Sequence, residues 1–278
     1  MKKNKGLYAP WLCVQISILD RFPIVLVLVL CLFASSVHAS DEEFKTISTR
    51  PGVTQPFLLI KPTDRAVASV ILFPGADGRL GISSQGVGNG ENNFLVRNRQ
   101  RLAGEGFLVA LVDSASDDCP RTSPAHAEDI RYVILELKKI TDIPVWLIGT
   151  SRGTISAANV AARLREGSPD GLVLTSTVTS TSKSNFETVK SVRLEDIRVP
   201  TLLVHHKWDS CSVTPYGGAV ALLKSLKHVS KIDLLTFTGG EDSVSDPCRA
   251  MSHHGFLGLD AEVVTAIASW IKTTSGNR

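Results

Sequence analysis

Short apolar runs rich in β-branched residues alternate along the chain with longer amphipathic stretches. Runs of the first kind predict buried strands, and the longer stretches predict helices. Strands that alternate with helices of this length indicate parallel strands joined by right-handed crossovers. The predicted strands are 55–62, 67–75, 107–113, 144–150, 170–178, 199–207 and 231–239, and the predicted helices are 93–106, 123–140, 152–166, 218–227 and 261–274.

This order of elements predicts an α/β fold, with a mostly parallel, twisted sheet that helices cover on both faces. The first two strands are expected to be neighbours, joined by a tight turn at Thr63–Asp64. No internal repeat, low-complexity segment or linker interrupts the sequence after the first forty residues. We therefore expect a single domain over 40–278.

The segment 1–39 has the pattern of a secretory signal peptide. Three lysines precede the apolar run 23–34, and the small residues Val37 and Ala39 stand where a signal peptidase reads the chain. The apolar run is shorter than the roughly 20 residues that span a membrane. We expect cleavage after Ala39 and a periplasmic or secreted protein. An uncleaved N-terminal anchor is the alternative, and it would be the only membrane contact.

Charge and cysteine content depend on this leader. The whole chain has a formal net charge of +3, but the sequence after Ala39 carries equal numbers of basic and acidic residues. A chain without net charge gives no indication of a nucleic-acid partner. Cys119, Cys211 and Cys248 would remain after export, which allows one disulfide and one free thiol. Three free thiols in a cytosolic protein are the alternative.

The segment IGTSRGT, residues 148–154, has the spacing G-x-S-x-G between a predicted strand and a predicted helix. The motif has mechanical meaning only at such a turn, which strains the serine backbone and raises the hydroxyl above the sheet edge. Glycines are needed there because neighbouring backbone passes too close for a Cβ atom. Ser151 is therefore the candidate nucleophile, and a helix N-cap serine is the alternative.

A nucleophilic serine needs a base, and the base needs a carboxylate that orients it. Both should follow later strands, because the carboxyl ends of those strands face the serine. Asp209 comes just after the strand 199–207, whereas the preceding strand ends without a carboxylate. His253 and His254 close the long loop before the last helix, so the order along the chain is Ser, Asp, His.

With these features, the sequence over about 55–272 resembles the α/β-hydrolase superfamily. The segment HHGF is similar to the histidine loop of the small dienelactone-hydrolase-like esterases, where glycine and an aromatic residue follow histidine. The resemblance implies a triad of Ser151, Asp209 and His254, with His253 as the less favoured base. It also implies a carboxylesterase-like serine hydrolase that forms an acyl-enzyme with a small ester and uses no cofactor.

The superfamily binds the oxyanion of the reaction with two backbone N–H groups. The resemblance assigns one to Arg152, after the nucleophile, and the other to Ala76 in the turn FPGADG, with Asp77 as the alternative donor. Pro74 replaces the histidine that the superfamily usually has in this turn. The stretch 179–198, where relatives carry a lid, is short, so we expect no large lid and an open site.

The triad also implies a disulfide. If the triad assembles, the loops of Asp209 and His254 meet above one sheet edge, and Cys211 is expected to be bonded to Cys248. Such a bond would hold the acid and base loops together. Cys119 would stay unpaired, and it is assigned no role.

Two other functions stay open alongside the serine hydrolase. A metal-dependent hydrolase could use Asp209 and the neighbouring histidines as ligands. However, His205 and His206 are consecutive in a strand, so their side chains face opposite ways. A binding module without catalysis is the second alternative, because this fold has members that only bind.

Overall fold

The structure is a computed structural model that describes residues 42–183 and 186–276. The predicted signal peptide, 1–39, lies outside the described residues. From residue 42 onward, the described chain belongs to one compact unit. Its helices include none that is both long and apolar enough to cross a membrane.

Eight strands form a single sheet. They are β1 (Glu42–Arg50), β2 (Val53–Ile60), β3 (Ala68–Phe73), β4 (Phe107–Val112), β5 (Val145–Thr150), β6 (Gly171–Thr175), β7 (Thr201–His206) and β8 (Ile232–Phe237). The spatial order is β1-β2-β4-β3-β5-β6-β7-β8, with antiparallel pairing at the β1 end and parallel pairing from β4 to β8. The central parallel strands are buried along their whole length, as expected for a sheet covered on both faces.

Helices pack on both faces of the sheet, as predicted. They are α1 (Phe94–Arg97), α2 (Arg99–Gly104), α3 (Pro124–Ile140), α4 (Gly153–Arg163), α5 (Tyr216–Ser225) and α6 (Asp260–Gly276). Buried side chains of α3, α4 and α5 form one hydrophobic cluster with one face of the sheet. Those of α1, α2 and α6 form a second cluster with the other face. The predicted α/β architecture is therefore confirmed.

The start of the sheet differs from the prediction in two ways. Strand β1 was not predicted, because its sequence EEFKTISTR is mostly polar and lacks an apolar run. In addition, β2 and β3 are not neighbours, since β4 lies between them. The connection 61–67 does not form a tight turn and is long enough to cross the roughly 10 Å of two strand spacings. The expected pairing of the first two predicted strands was therefore wrong.

The described part of the connection between β6 and β7, where a lid would be inserted, contains no separate domain. Within 176–183 and 186–200, the described chain between β6 and β7 holds two short 3₁₀ turns, Val189–Ser191 and Leu194–Asp196. The loops that follow the carboxyl ends of β3, β5, β7 and β8 carry the candidate site.

Candidate active site

Ser151 lies in the turn between β5 and α4, as the motif predicted. Its φ of +51° falls in the left-handed region that residues with a side chain rarely adopt. The Ser151 N–H donates to the Thr175 carbonyl at 3.0 Å, and the Ser151 carbonyl accepts from the N–H and the hydroxyl of Thr154 at 2.9 and 2.6 Å. These bonds hold the strained backbone in place.

The two glycines of the motif are required by close backbone approach. A Cβ atom on Gly149 would lie 2.5 Å from the carbonyl oxygen of Gly153. A Cβ atom on Gly153 would overlap the carbonyl oxygen of Phe73, at the end of β3. The start of α4 therefore packs directly on the sheet, which gives the turn its sharp bend.

Asp209 and His254 are hydrogen-bonded although they are far apart in sequence. Nδ1 of His254 lies 3.0 Å from Oδ2 of Asp209, and both side chains are almost fully buried. A carboxylate only accepts, so Nδ1 carries the hydrogen and Nε2 keeps its lone pair. The loop after β7 thus orients the histidine as a base.

Thr214 joins this pair, although no sequence pattern identified it. Its hydroxyl donates to Oδ2 of Asp209 at 2.8 Å and lies 3.1 Å from Nδ1 of His254. Burial alone would raise the pKa of Asp209, but hydrogen bonds from His205, His254 and the Cys211 N–H hold it below its usual value. Asp209 is therefore an anion that can stabilise a positively charged imidazole.

The backbone of the histidine loop is fixed on several sides. The buried hydroxyl of Ser176 donates to the His254 carbonyl at 2.7 Å, and the Arg97 guanidinium donates to the Gly255 carbonyl at 2.6 Å. A Cβ atom on Gly255 would overlap the Ala250 carbonyl. Phe256 is buried with φ +57° and packs its ring in the second hydrophobic cluster. Local geometry thus explains why His254 is followed by Gly255 and Phe256.

Ser151 and His254 line one cavity of about 660 Å³, which we call the Ser151 cavity. Gly75, Ala76 and Arg152 also line it. The described contacts include no direct hydrogen bond between the Ser151 hydroxyl and the His254 ring, and such bonds are often long in sites without substrate. The structure therefore brings the serine, the histidine and the aspartate to one edge of the sheet.

The predicted disulfide is present between Cys211 and Cys248. It joins the loop after β7 to the loop after β8, and the Cys211 N–H donates to Oδ1 of Asp209 at 2.9 Å. Among the described cysteines, Cys119 alone is free, and it is half-buried. The crosslink therefore begins two residues from the carboxylate that orients His254.

No protein-family model matches the chain, and no curated protein matches its sequence. Solved structures do match its fold. The esterase Pf2001 from Pyrococcus furiosus has a TM-score of 0.62 and 12% identity, covering 85% of this chain and 92% of that one. The protein XC6422 from Xanthomonas campestris, described as a serine hydrolase without lid, has a TM-score of 0.59 and 16% identity, covering 84% and 94%. The chain has the α/β-hydrolase fold. A sugar hydrolase (YeeB) from Lactococcus lactis also matches, with a TM-score of 0.60, 19% identity and coverage of 84% and 99%.

In this α/β-hydrolase fold, the turn after β3 lies beside the nucleophile. A Cβ atom on Gly75 would be 3.0 Å from the Cβ atom of Ser151. Ala76 has φ +51°, and it lines the Ser151 cavity, whereas Asp77 does not. The N–H groups of Ala76 and Arg152 donate to no group in the part of the chain that the structure describes. Both predicted oxyanion donors are therefore free to bind a ligand.

Arg121 supports that turn from behind and was missed in the sequence. Its guanidinium donates to the Ser156 hydroxyl at 2.8 Å and to the carbonyls of Pro74 and Ala76 at 3.2 and 3.4 Å. A Cβ atom on Gly78 would overlap this guanidinium. No local pattern marks Arg121, because its partners lie in distant segments of the chain.

The other histidines are separated from this network or support it. His253 stacks on His206 with ring centroids 4.3 Å apart, and it is not part of the Ser151 cavity. His205 faces the opposite side of β7 from His206, and its Nε2 lies 2.9 Å from the Thr214 carbonyl and 3.5 Å from Oδ2 of Asp209, so His205 supports the network. The groups near Asp209 that could hold a metal include Cys211, but its sulfur is bonded in the disulfide. This donor set does not fit a hydrolytic metal site.

Proposed function

We propose that this protein is an exported serine hydrolase that cleaves a carboxylic ester through an acyl-enzyme. The observation that carries the proposal is the position of His254. Asp209 holds its Nδ1 at 3.0 Å, and the same histidine lines the Ser151 cavity. A strained serine and an oriented imidazole at one cavity are the parts that acyl transfer requires.

In the proposed first half-reaction, the Ser151 oxygen attacks the ester carbonyl carbon while Nε2 of His254 takes the hydroxyl proton. The negative charge that develops on the carbonyl oxygen accepts hydrogen bonds from the N–H groups of Ala76 and Arg152. Asp209 stabilises the imidazolium that forms. The intermediate collapses when the alcohol leaves with the proton from His254, and the acyl group stays on Ser151.

Water completes the cycle by the reverse arrangement. His254 takes a proton from water, the resulting hydroxide attacks the acyl carbon, and the carboxylic acid leaves as the proton returns to the Ser151 oxygen. Removal of one oxyanion donor typically costs about 3 kcal/mol of transition-state stabilisation. Loss of the orienting carboxylate in Asp209→Asn should lower kcat by about 10⁴.

Two further observations support an ester as the substrate. The matched proteins from Pyrococcus furiosus and Xanthomonas campestris are described as an esterase and a serine hydrolase without lid. The Ser151 cavity has a volume of about 660 Å³, and no separate domain lies between β6 and β7 among the described residues. A small ester that enters from solvent suits this open site.

Export is part of the proposal. The signal-peptide pattern of 1–39 supports it, and so does the Cys211–Cys248 disulfide, since disulfides persist mainly in oxidising compartments. Intact-mass measurement of protein purified from the periplasm or medium should find a chain that begins at Ser40. Recovery of a chain that still contains 1–39, attached to membranes, would contradict cleavage.

The catalytic proposal is tested by labelling with a fluorophosphonate and by hydrolysis of p-nitrophenyl esters of graded acyl length. We expect label on Ser151, loss of label and activity in Ser151→Ala, and retention of both in Ser212→Ala. Ser212 is a matched control because it is an exposed serine of the same cavity. Activity that a chelator removes would support a metal-dependent hydrolase. The absence of both label and turnover would support a binding module.

A further inference from the structure

Among the residues that the structure describes, the side chain of Arg152 is a cation without a partner. It follows Ser151 directly and lines the Ser151 cavity, yet its Nε atom is buried and bonds to nothing. No hydrogen bond or ion pair links its guanidinium to any residue that the structure describes. Arg152 is half-buried, and a buried Nε–H without an acceptor is costly to the folded state, so this part of the guanidinium is available to a ligand.

A second arginine, which is exposed and has no ion pair among the described residues, lines the same cavity from another loop. Arg249 lies between Cys248 and the histidine loop, and it lines the Ser151 cavity. Its guanidinium makes no ion pair or hydrogen bond within 42–183 and 186–276, although Asp246 is close in sequence. The described lining residues include no aspartate or glutamate. The charged side chains at the cavity are therefore two arginines.

Arg121 adds to the same positive field from behind the turn after β3. Its guanidinium bonds to a hydroxyl and two carbonyls, and no carboxylate lies within ion-pair distance among the described residues. Burial, followed by the nearby charge of Arg152, lowers the pKa of Arg121 to about 10. Asp77, Glu187 and Asp118 act on it only from a distance. The charges of Arg121 and Arg152 are thus close enough to repel each other.

We propose that the Ser151 cavity selects an ester that carries a carboxylate in addition to the bond that is cleaved. Arg152 and Arg249 would bind this carboxylate, since the guanidinium fork matches carboxylate geometry. This inference rests on the proposed function and specifies its substrate class. The hydrolysis consumes one water and gives an alcohol and an acid, so that one product carries the original carboxylate.

Matched ester pairs test the proposal and show which side of the ester carries the charge. Monomethyl and dimethyl adipate differ by one carboxylate on the acyl side. The second pair is para-acetoxybenzoate and its methyl ester, which differ by one carboxylate on the alcohol side. We expect kcat/KM of the charged member to be higher by about tenfold or more in one pair, and this advantage should fall with added salt. Equal or better hydrolysis of both neutral esters would overturn the proposal.

Variants locate the effect. Arg249→Gln should lower kcat/KM for the charged ester more than for the neutral ester, because only the charged ester offers a carboxylate to this guanidinium. Arg152→Gln keeps its backbone N–H and should reduce the charged-to-neutral ratio further. Arg165→Gln is the matched control, since it removes the same charge from an exposed arginine paired with Asp196. If Arg165→Gln lowered the charged-to-neutral ratio of kcat/KM equally, net charge rather than this site would cause the preference for the charged ester.

A binding measurement separates this inference from the proposed reaction. Calorimetry of adipate with Ser151→Ala should detect binding that weakens about tenfold in the Ser151→Ala/Arg249→Gln double variant. Adipate binding would support the anion site even if no ester were hydrolysed, in which case only the catalytic proposal would fail. Turnover of neutral esters without adipate binding or charge preference would reject the anion site and keep the hydrolase.

Discussion

At the scale of single residues, Thr214 links the acid to the base. Its hydroxyl donates to Asp209 at 2.8 Å in a buried environment, so Thr214→Val would leave one carboxylate oxygen with one donor fewer. We expect the free energy of unfolding to fall by about 1–3 kcal/mol, the usual cost of an unsatisfied buried partner. Urea unfolding measures this change. Thr214→Ser keeps the hydroxyl and should retain most of the stability, and a Val variant as stable as the wild type would contradict the role.

His126 predicts a pH dependence of stability. Its ring packs edge-on against Phe73, and burial, then the charge of Arg121, lower its pKa from 6.5 to about 4. Between these values the unfolded chain binds a proton that the folded protein does not. The stability from His126 is therefore present above pH 6.5 and is lost as the pH falls toward 4, by on the order of 3 kcal/mol.

Unfolding in urea between pH 7 and pH 4 measures this loss. His126→Gln should flatten the pH dependence in that window, because glutamine does not titrate. His228→Gln is the matched control, since His228 is exposed. If both variants follow the wild-type curve, another group causes the acid sensitivity.

At the scale of elements, the turn between β5 and α4 depends on contact between the helix and the sheet. Gly153→Ala would push a methyl group into the Phe73 carbonyl at the end of β3, so the helix must move away. We expect a loss of several kcal/mol, seen as a lower urea midpoint. Gly217→Ala in α5 is the control, because its Cβ atom meets open space and alanine favours helices by about 1 kcal/mol. Equal stability of the two variants would contradict this packing.

Strands and helices were predicted correctly where a local pattern in the sequence specified them. Continuous apolar runs identified the buried strands, and the predicted helices 123–140 and 152–166 match α3 and α4 closely. Strand β1 could not be predicted, since an edge strand needs little apolar sequence and is held by backbone pairing to β2. The predicted helix 93–106 divides at Asn98, whose side chain bonds to the Phe94 carbonyl at 2.9 Å. The order of strands depends on contacts between distant segments, which local periodicity does not encode.

The difference between local patterns and distant contacts also explains which residues of the candidate site could be predicted. Ser151, Asp209 and His254 were identified because each follows a strand whose end could be recognised in the sequence. Thr214 contacts Asp209 and His254 across 5 and 40 residues, and Arg121 contacts groups that lie 35 to 47 residues away. Threonine and arginine in loops carry no signal of such a role. Pairing of Cys211 with Cys248 followed from the expected meeting of two loops, and it is present.

At the scale of the whole molecule, the Cys211–Cys248 disulfide connects two loops separated by 37 residues. Closing a loop of this length stabilises the folded state by roughly 4 kcal/mol in the chain-entropy model. We expect Cys211→Ser/Cys248→Ser to unfold at a lower temperature and to lose activity, because the disulfide anchors the acid loop to the base loop. Calorimetry with and without dithiothreitol measures the first effect. Cys119→Ser should behave as the wild type, and a reductant effect that persists in the double variant would contradict this assignment.

The groups that line the Ser151 cavity follow the carboxyl ends of the strands. No residue of the proposed site lies at the opposite rim of the sheet. The connection before β5 reaches that rim, and Asp142 in it is exposed. A cysteine or affinity peptide introduced at Asp142 would therefore tether the protein to a bead or sensor surface with its cavity directed toward the bulk liquid. The parallel sheet thus provides, in a single molecule, one rim for chemistry and another for immobilisation.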